Sequence, residues 1–421
     1  MKVNATNNTL VNIADIHKAQ VRLKGVAQHT PLMSNYNLSE TYDCQLFLKR
    51  EDLQVVRSYK IRGAYNKMVS LSKEERNRGV VCASAGNHAQ GVAFACHKLG
   101  VEGTIYMPST TPMQKIKKVK LFGKDKVNII LEGDTFDVSN KLALQDSEAH
   151  QKVFVHPFND SKVMEGQATV GLEILEDCAE PIDYIFVAIG GGGLASGLGS
   201  YFKQLSPHTK IIAVEPMGAA GMQASFRAKE VVTLDKIDPF VDGAAVQRVG
   251  DLTFEICRQV IDDFVIVPEG KVCSTILKLY NEEAIVVEPA GALTIAALDF
   301  YKEEIKGKNI VCIISGGNND ITRTEEIKER SLLYEGLKHY FIVQFPQRAG
   351  ALKEFLNALG PDDDITHFEY IKKHNRDAGP ALVGIELKDA ADYGQLMERM
   401  ELAGINFQGL NEDRVLFELL I

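Results

Sequence analysis

No Cys-x-x-Cys pair occurs in this chain, and its seven cysteines are an odd number. Both points argue against a disulfide framework and against a zinc site. Cys82, Cys96, Cys257 and Cys312 lie in apolar stretches, where a free thiol behaves as a small buried hydrophobe, and the expected compartment is the cytosol. No basic stripe stands out, and the net charge is −9, so a nucleic-acid partner held by phosphate neutralisation is not expected. Apolar runs such as Ile185–Ile189 and Ile310–Ile314 are far too short to span a bilayer, so no membrane partner is expected either. Met1–Asn12 is Asn-rich and lacks the apolar core of a secretory signal, which makes the Asn-x-Thr triplets at Asn4 and Asn7 chance matches. There is no Gly-Lys-Ser/Thr of a P-loop, no internal repeat and no low-complexity tract.

What is present is an ordinary globular mix. The 421 residues are 45% hydrophobic and 24% charged, enough for two or three domains with a large core. Short apolar runs alternate with helical patterns. Val80–Ala83, Thr104–Met107, Val127–Leu131, Tyr184–Ile189, Lys210–Glu215 and Asn309–Ser315 read as strands. Asn87–Leu99 and Thr111–Phe122 read as helices, with Pro112 suited to a first turn. Strands followed by helices indicate βαβ units and open, mostly parallel sheets covered on both faces. The Gly-rich segments ending at Gly86, Gly193 and Gly317 each follow such a strand directly, where open α/β sheets bind ligands.

The character changes near residue 325. Thr324–Lys338 is charged and helical. Tyr340–Phe345 reads as a strand, Pro346–Gly350 as a turn, Ala351–Leu359 as a helix, Ile365–Lys372 and Ala381–Leu387 as strands, Ala390–Leu402 as a helix, and Val415–Leu420 as a last strand. That βαββαβ order is the ferredoxin-like split unit, for which about eighty residues suffice.

Three segments carry the chemistry. Lys60 sits in Ser58-Tyr59-Lys60-Ile61-Arg62-Gly63-Ala64, after the charged run Lys49–Leu53; alone it would be a solvated lysine. Gly190, Gly191, Gly192 and Gly193, then Leu194, follow a strand and precede a helix, so backbone N–H groups and the helix dipole can hold a phosphate. A tight turn would need only one or two glycines. Which phosphate stays open: Gly190-x-Gly192-x-x-Ala195 also fits the dinucleotide fingerprint, with Glu215 where an acid grips a ribose, so a nicotinamide-dependent oxidoreductase competes. Ser84-Ala85-Gly86-Asn87-His88 exposes several N–H donors to one anion, most simply a substrate carboxylate, although Ser84 or Asn87 could serve only as an N-cap and a single histidine at a helix start is more often packed than catalytic. Ser315, opening Ser315-Gly316-Gly317-Asn318-Asn319, is a turn residue or a hydroxyl for a ring nitrogen. Glu288, in a Glu-Pro-Ala-Gly turn, could simply begin a helix.

These motifs, with Lys49-Arg50-Glu51-Asp52-Leu53-Gln54 and Glu288-Pro289-Ala290-Gly291-Ala292, resemble those of the pyridoxal-phosphate enzymes of the tryptophan-synthase-β fold type. The chain is most similar, from about Ile16 to its end, to the biosynthetic threonine dehydratases (threonine ammonia-lyases) in the short form with one ACT-like domain. The resemblance implies two open, mostly parallel α/β catalytic subdomains within residues 1–325, the smaller at roughly 50–155, a connecting helix at 326–337, and an α+β ferredoxin-like regulatory domain at 338–421. It implies pyridoxal 5'-phosphate joined to Lys60 as an imine, its phenolic oxygen on Asn87, its phosphate on Gly190–Leu194, its pyridine nitrogen on Ser315, and the substrate carboxylate on Ser84–His88. Ser84 either positions that carboxylate or exchanges a proton with the substrate.

The implied reaction converts L-threonine, and more poorly L-serine, to a 2-oxoacid and ammonia. Lys60 is its base, which requires a lowered pKa. L-isoleucine is the implied effector, with Pro346-Gln347-Arg348-Ala349-Gly350 as a candidate site or a mere connection, and a homotetramer is the family expectation. Relatives that bind a divalent metal need a second carboxylate six residues after the position of Glu215; this chain has Gly221, so no metal is expected. A non-catalytic amino-acid sensor is the remaining rival, and the intact lysine, asparagine, glycine and serine positions count against it.

Overall fold

The apolar runs become interior strands because parallel sheets are buried on both faces. In the computed structural model, which describes residues 10–370 and 377–421, ten strands precede residue 320. They are β1 (Leu32–Ser34), β2 (Gln45–Arg50), β3 (Val80–Ala83), β4 (Gly103–Met107), β5 (Val127–Leu131), β6 (Val153–Phe154), β7 (Tyr184–Ala188), β8 (Lys210–Pro216), β9 (Asp263–Val267) and β10 (Asn309–Ile314). Asn4 and Asn7, and the end of the strand read to Lys372, lie outside the described residues.

Two sheets form from these strands. The larger has the order β1-β2-β10-β7-β8-β9. It is parallel throughout except for β1, which pairs antiparallel at one edge. The smaller, β5-β4-β3-β6, is wholly parallel. Each has its own core. Ile185, Val187, Ile211, Ala213, Val311 and Ile313 of the larger sheet pack on Leu194, Leu198 and Phe202 of the helix Gly193–Leu205. Val80, Cys82 and Ile105 of the smaller pack on Val92, Ala93 and Cys96 of the helix Asn87–Leu99. The helix read at Thr111 begins at Met113; Pro112 stands just outside it, at the cap, with extended ψ of 138°.

The chain forms two compact units: one from residues up to Glu269 with Leu279–Asp320, the other from Gly270–Lys278 with Ile321–Ile421. The second carries β11 (Lys338–Pro346), β12 (Asp364–Tyr370), β13 (Ala378–Glu386) and β14 (Asn406–Gly409) in an antiparallel sheet ordered β12-β13-β11-β14. With helices Ala351–Ala358 and Tyr393–Leu402 after β11 and β13, this is the ferredoxin-like arrangement. The helix Thr324–Tyr334 is tied to β11 through Glu329, which accepts from Lys338 Nζ at 2.5 Å and from the Tyr340 hydroxyl at 2.6 Å.

One expected strand is a helix. Val415–Leu420 lies in the helix Arg414–Leu420, started by the Asp413 side chain accepting from Leu416 N. A short apolar run does not by itself distinguish helix from strand. The edge place beside β11 is taken by the mostly polar β14, with Phe341 opposite Gly409 and Val343 opposite Phe407. Among the described residues no helix is long and apolar enough to cross a membrane, and all seven cysteines are unpaired.

Candidate active site

Lys60 is the first residue of the helix Lys60–Val69. The turn leading to it is pinned from the carboxyl end of β10: Tyr59 N–H donates to Ser315 O at 3.2 Å and Gly317 N–H to Arg57 O at 2.9 Å. Two residues further on, Arg62 is 1% exposed and forked between Glu51 and Glu173. The next residue, Gly63, faces the helix Ser161–Asp177, where an added Cβ would meet Val163 O at 2.8 Å. The Lys-x-Arg-Gly pattern is thus one lysine at a helix start, one buried anchor and one close helix contact. Lys60 Nζ donates to Pro157 O at 3.1 Å. Burial pulls its pKa down to about 8, against an opposing pull from Glu288.

The segment Ser84–His88 runs from the end of β3 into the helix Asn87–Leu99, whose N-cap Gly86 supplies no side-chain bond. Ser84 Oγ accepts Gly86 N–H at 3.2 Å. Asn87 Nδ2 donates to Glu288 Oε1 at 2.7 Å, and Asn87 Oδ1 accepts from Asn318 Nδ2 at 2.7 Å. His88 is structural: its Nε2 bonds Val155 O at 2.8 Å, and burial with the nearby Lys60 pulls it down to about 3.

Gly190–Leu194 runs from the end of β7 into the helix Gly193–Leu205, and the N-cap Gly192, at φ +92°, makes no side-chain cap. The crowding explains the glycines. A Cβ on Gly191 would enter the Phe158 ring, and one on Gly192 would stand 2.7 Å from Met222 Cε. Thr253 Oγ1 fixes the turn by donating to Gly191 O at 2.6 Å. The first N–H groups of a helix have no intrahelical acceptor, so with no side chain capping it this end is open to an anion.

All of Lys60, Ser84, Ala85, Gly86, Asn87, His88, Gly190, Gly191, Gly192, Gly193, Leu194 and Ser315 line one cavity of about 770 Å³, within the usual range for a small-molecule site. Ser315 is 3% exposed, and its hydroxyl has no partner among the described residues. A desolvated amine, an uncapped helix end and an unclaimed hydroxyl in one cavity fit pyridoxal phosphate: one group each for its aldehyde, its phosphate and its ring nitrogen. Glu215 is elsewhere. It is fully buried and accepts the N–H groups of Met222 and Gln223 at 2.7 and 2.8 Å, capping the helix Gly221–Ala228. Burial pushes it up to about 7. The ribose grip that a nicotinamide enzyme needs is therefore missing from the cavity. Among the described residues no three His, Cys, Asp or Glu side chains converge as a metal site.

Three parts of the wall escape sequence reasoning. The first is His156–Asn159, after the two-residue strand β6. His156 Nδ1 accepts the N–H groups of Phe158 and Asn159, at 3.2 and 2.8 Å, and burial with Lys60 pulls the ring down to about 4, so it is neutral. The second is Gly243–Gly250, which lines the cavity with no regular structure of its own. The third is the pair Glu288 and Asn318. Glu288 does begin a helix, Pro289–Ala296, but its side chain makes no cap bond there and turns to Asn87. Burial, with Asp242 nearby, pushes it up to about 7. Only the motifs around Glu288 and Asn318 signalled them; the other two segments carry no pattern.

Comparison with known proteins points the same way. Residues 23–316 match the family described as pyridoxal-phosphate dependent enzyme, and residues 329–420 match the C-terminal regulatory domain of threonine dehydratase. The L-threonine dehydratase biosynthetic IlvA of Bacillus subtilis (strain 168) is 59% identical over 422 residues, covering 100% of both chains. Its counterpart in Halalkalibacterium halodurans is 58% identical over 412 residues, covering 98% of this chain and 99% of that protein. The processed form of threonine deaminase isoform 2 from Solanum lycopersicum is similar in structure, with a TM-score of 0.71 and 40% identity over 77% of this chain and 95% of that one.

Proposed function

This chain belongs to the pyridoxal-phosphate-dependent enzymes, and from that premise we propose that it dehydrates and deaminates L-threonine to 2-oxobutanoate and ammonia, opening isoleucine biosynthesis, with L-serine a poorer substrate. The full-length similarity to biosynthetic threonine dehydratases supports the reaction. The observation that carries it to residues is the meeting of the Lys60 amine, the open helix end at Gly192 and the Ser315 hydroxyl in one cavity. Residues 1–325 are assigned to catalysis, with a smaller subdomain at about 50–155, residues 326–337 to a connecting helix and 338–421 to regulation.

The bound cofactor supplies a conjugated electron sink for the substrate α-carbon. The remaining work falls to the chain. Lys60 would anchor the cofactor, and its free amine would take the substrate α-proton. At a pKa of about 8, roughly a tenth of that amine is neutral at pH 7, so it can act as a base. The backbone N–H groups of Gly190–Leu194 hold the phosphate. The N–H groups of Ala85–His88 hold the substrate carboxylate; Ser84 Oγ already accepts Gly86 N–H, which leaves its hydroxyl proton to point at the same anion. Ser315 meets the ring nitrogen with an alcohol, which cannot protonate it as a carboxylic acid would.

The C-terminal unit is assigned to isoleucine sensing, with the turn Pro346–Gly350 as its effector loop. There Gln347 Nε2 donates to the Tyr370 hydroxyl at 2.7 Å and Arg348 pairs with Glu354 at 2.7 Å. β12 and β14 are the free edges through which such sheets can pair, in keeping with a homotetramer. Seven unpaired thiols suit the cytosol. Borohydride reduction of the yellow protein, followed by peptide mass spectrometry, should find the cofactor on Lys60, and Lys60→Ala should abolish turnover. An adduct on another lysine, or undiminished turnover in that variant, refutes the assignment.

A further inference from the structure

Asn87 is held by two groups that no sequence pattern assigned to it. We propose that Glu288 and Asn318 are positioning residues that force the Asn87 amide to present a donor, not an acceptor, to the phenolic oxygen of the cofactor. This rests on the reading of the cavity given above. The geometry is a closed ring. Glu288 Oε1 accepts one N–H of Asn87 at 2.7 Å, while Asn318 Nδ2 donates to Asn87 Oδ1 at 2.7 Å. Glu288 Oε2 in turn accepts Asn318 N–H at 3.3 Å.

Asn318 cannot rotate to relieve its neighbour. Its second N–H donates to Val56 O at 2.8 Å, and its Oδ1 accepts from Lys118 Nζ at 3.1 Å. Both acceptor and donor sides of that amide are therefore filled. Flipping Asn87 would set its NH2 against the NH2 of Asn318 and its oxygen against the Glu288 carboxyl, losing both bonds at once. Asn87 keeps one N–H unused while its Oδ1 is turned to Asn318, in a side chain that lines the cavity. The glycines of Ser315-Gly316-Gly317-Asn318 acquire a reason in the same ring: a Cβ on Gly316 would collide with Glu288 Oε1, and one on Gly317 would stand 2.9 Å from Val286 O.

A donor at the phenolic oxygen stabilises its ionised form. Glu288 also faces Lys60, Tyr59, Asp242, Lys115 and Lys118, so its charge enters that balance.

The test is the absorption spectrum of the holoenzyme from pH 6 to 9, with bound cofactor per chain as the check on folding. Asn318→Asp places an acceptor against Asn87 Oδ1, so the amide should turn over. The ratio of visible to near-ultraviolet absorbance should then fall about tenfold, the scale of one hydrogen bond to a charged group. Asn318→Ala removes the same bond without adding charge and should lower the ratio by a smaller factor. Glu288→Gln should keep the visible band but flatten its change across neutral pH. Asn87→Ala separates the two levels of the argument. If it alters the spectrum while both Asn318 variants match the wild type, the positioning role is overturned. If Asn87→Ala itself changes nothing, the reading of Asn87 on which the role rests is overturned instead.

Discussion

Removing the Arg62 guanidinium should unfold the catalytic portion more readily, and the loss should depend on pH in a direction that the structure dictates. Arg62 Nε and Nη2 donate to Glu51 at 2.8 and 2.7 Å, and Nη1 and Nη2 to Glu173 at 2.6 and 2.8 Å. Lys49, also fully buried, donates to Glu173 at 2.7 Å and to Thr30 O at 2.6 Å. Two cations thus balance two carboxylates. Arg62→Met leaves the carboxylates with Lys49 alone, although Thr30 Oγ1 still donates to Glu51 at 2.5 Å. Breaking a buried pair from one side costs about 3–5 kcal/mol, because a desolvated charge is left uncompensated. At roughly 2 °C per kcal/mol for a large domain, the melting temperature at pH 7 should fall by about 6–10 °C.

The pH dependence discriminates further. Burial pushes Glu51 up, but Arg62, Lys49 and the Thr30 hydroxyl more than offset it, so its pKa lies below the usual 4.5. A depressed carboxyl adds stability above its unfolded pKa and loses that stability as pH falls through the folded value. Without Arg62 the burial effect dominates and protonation relieves the variant. The wild type should therefore lose stability below about pH 4.5, and the gap between the two proteins should narrow as pH falls. Calorimetry at pH 7, 5.5 and 4.5 measures both effects. A variant within about 2 °C of the wild type at pH 7, or a gap that widens on acidification, refutes the reasoning.

Gly191→Ala should weaken cofactor binding about ten- to a hundredfold in a fluorescence titration, since its Cβ would lie under 3.0 Å from three Phe158 ring atoms and overpacking costs about 1–3 kcal/mol; unchanged affinity would show that Phe158 does not support the phosphate loop. Thr253→Val strips Gly191 O of its 2.6 Å bond and should lower stability by about 1–3 kcal/mol, read by chemical denaturation. In single-turnover experiments the α-proton step should slow about tenfold per pH unit below pH 8, because the Lys60 amine is held at about 8 and only its neutral form accepts a proton; a flat profile from pH 6 to 8 would exclude that amine as the base. Truncation after Arg330 should abolish the effect of isoleucine on threonine affinity, and a normal response in the shortened protein would move the effector site into the catalytic portion.

Much of the fold was legible because its strands are continuous apolar runs. Val80–Ala83, buried throughout, and the helix Asn87–Leu99 fall where the pattern puts them. Fully buried parallel strands leave that trace whatever their neighbours are. The last strand was misread for the complementary reason. Val415–Leu420 is apolar enough for either state, whereas Asn406–Gly409 becomes a strand only because β11 offers it an edge to pair with. The two-residue β6 and the irregular Gly243–Gly250 segment were beyond sequence patterning, since each is shaped by the walls around it.

The sequence alone determined which chemical groups the protein owns: a lysine beside a charged run, a run of glycines after a strand, a serine ending another, and a change of character near residue 325. Local stereochemistry dictates those features, so they survive in one dimension. Only the tertiary structure decided that Lys60, Gly192 and Ser315 share one cavity, that Glu215 caps the helix Gly221–Ala228 instead of entering it, and that Glu288 and Asn318 grip Asn87. Those outcomes depend on desolvation and on hydrogen bonds between residues as far as 262 positions apart in the chain, which no local pattern encodes.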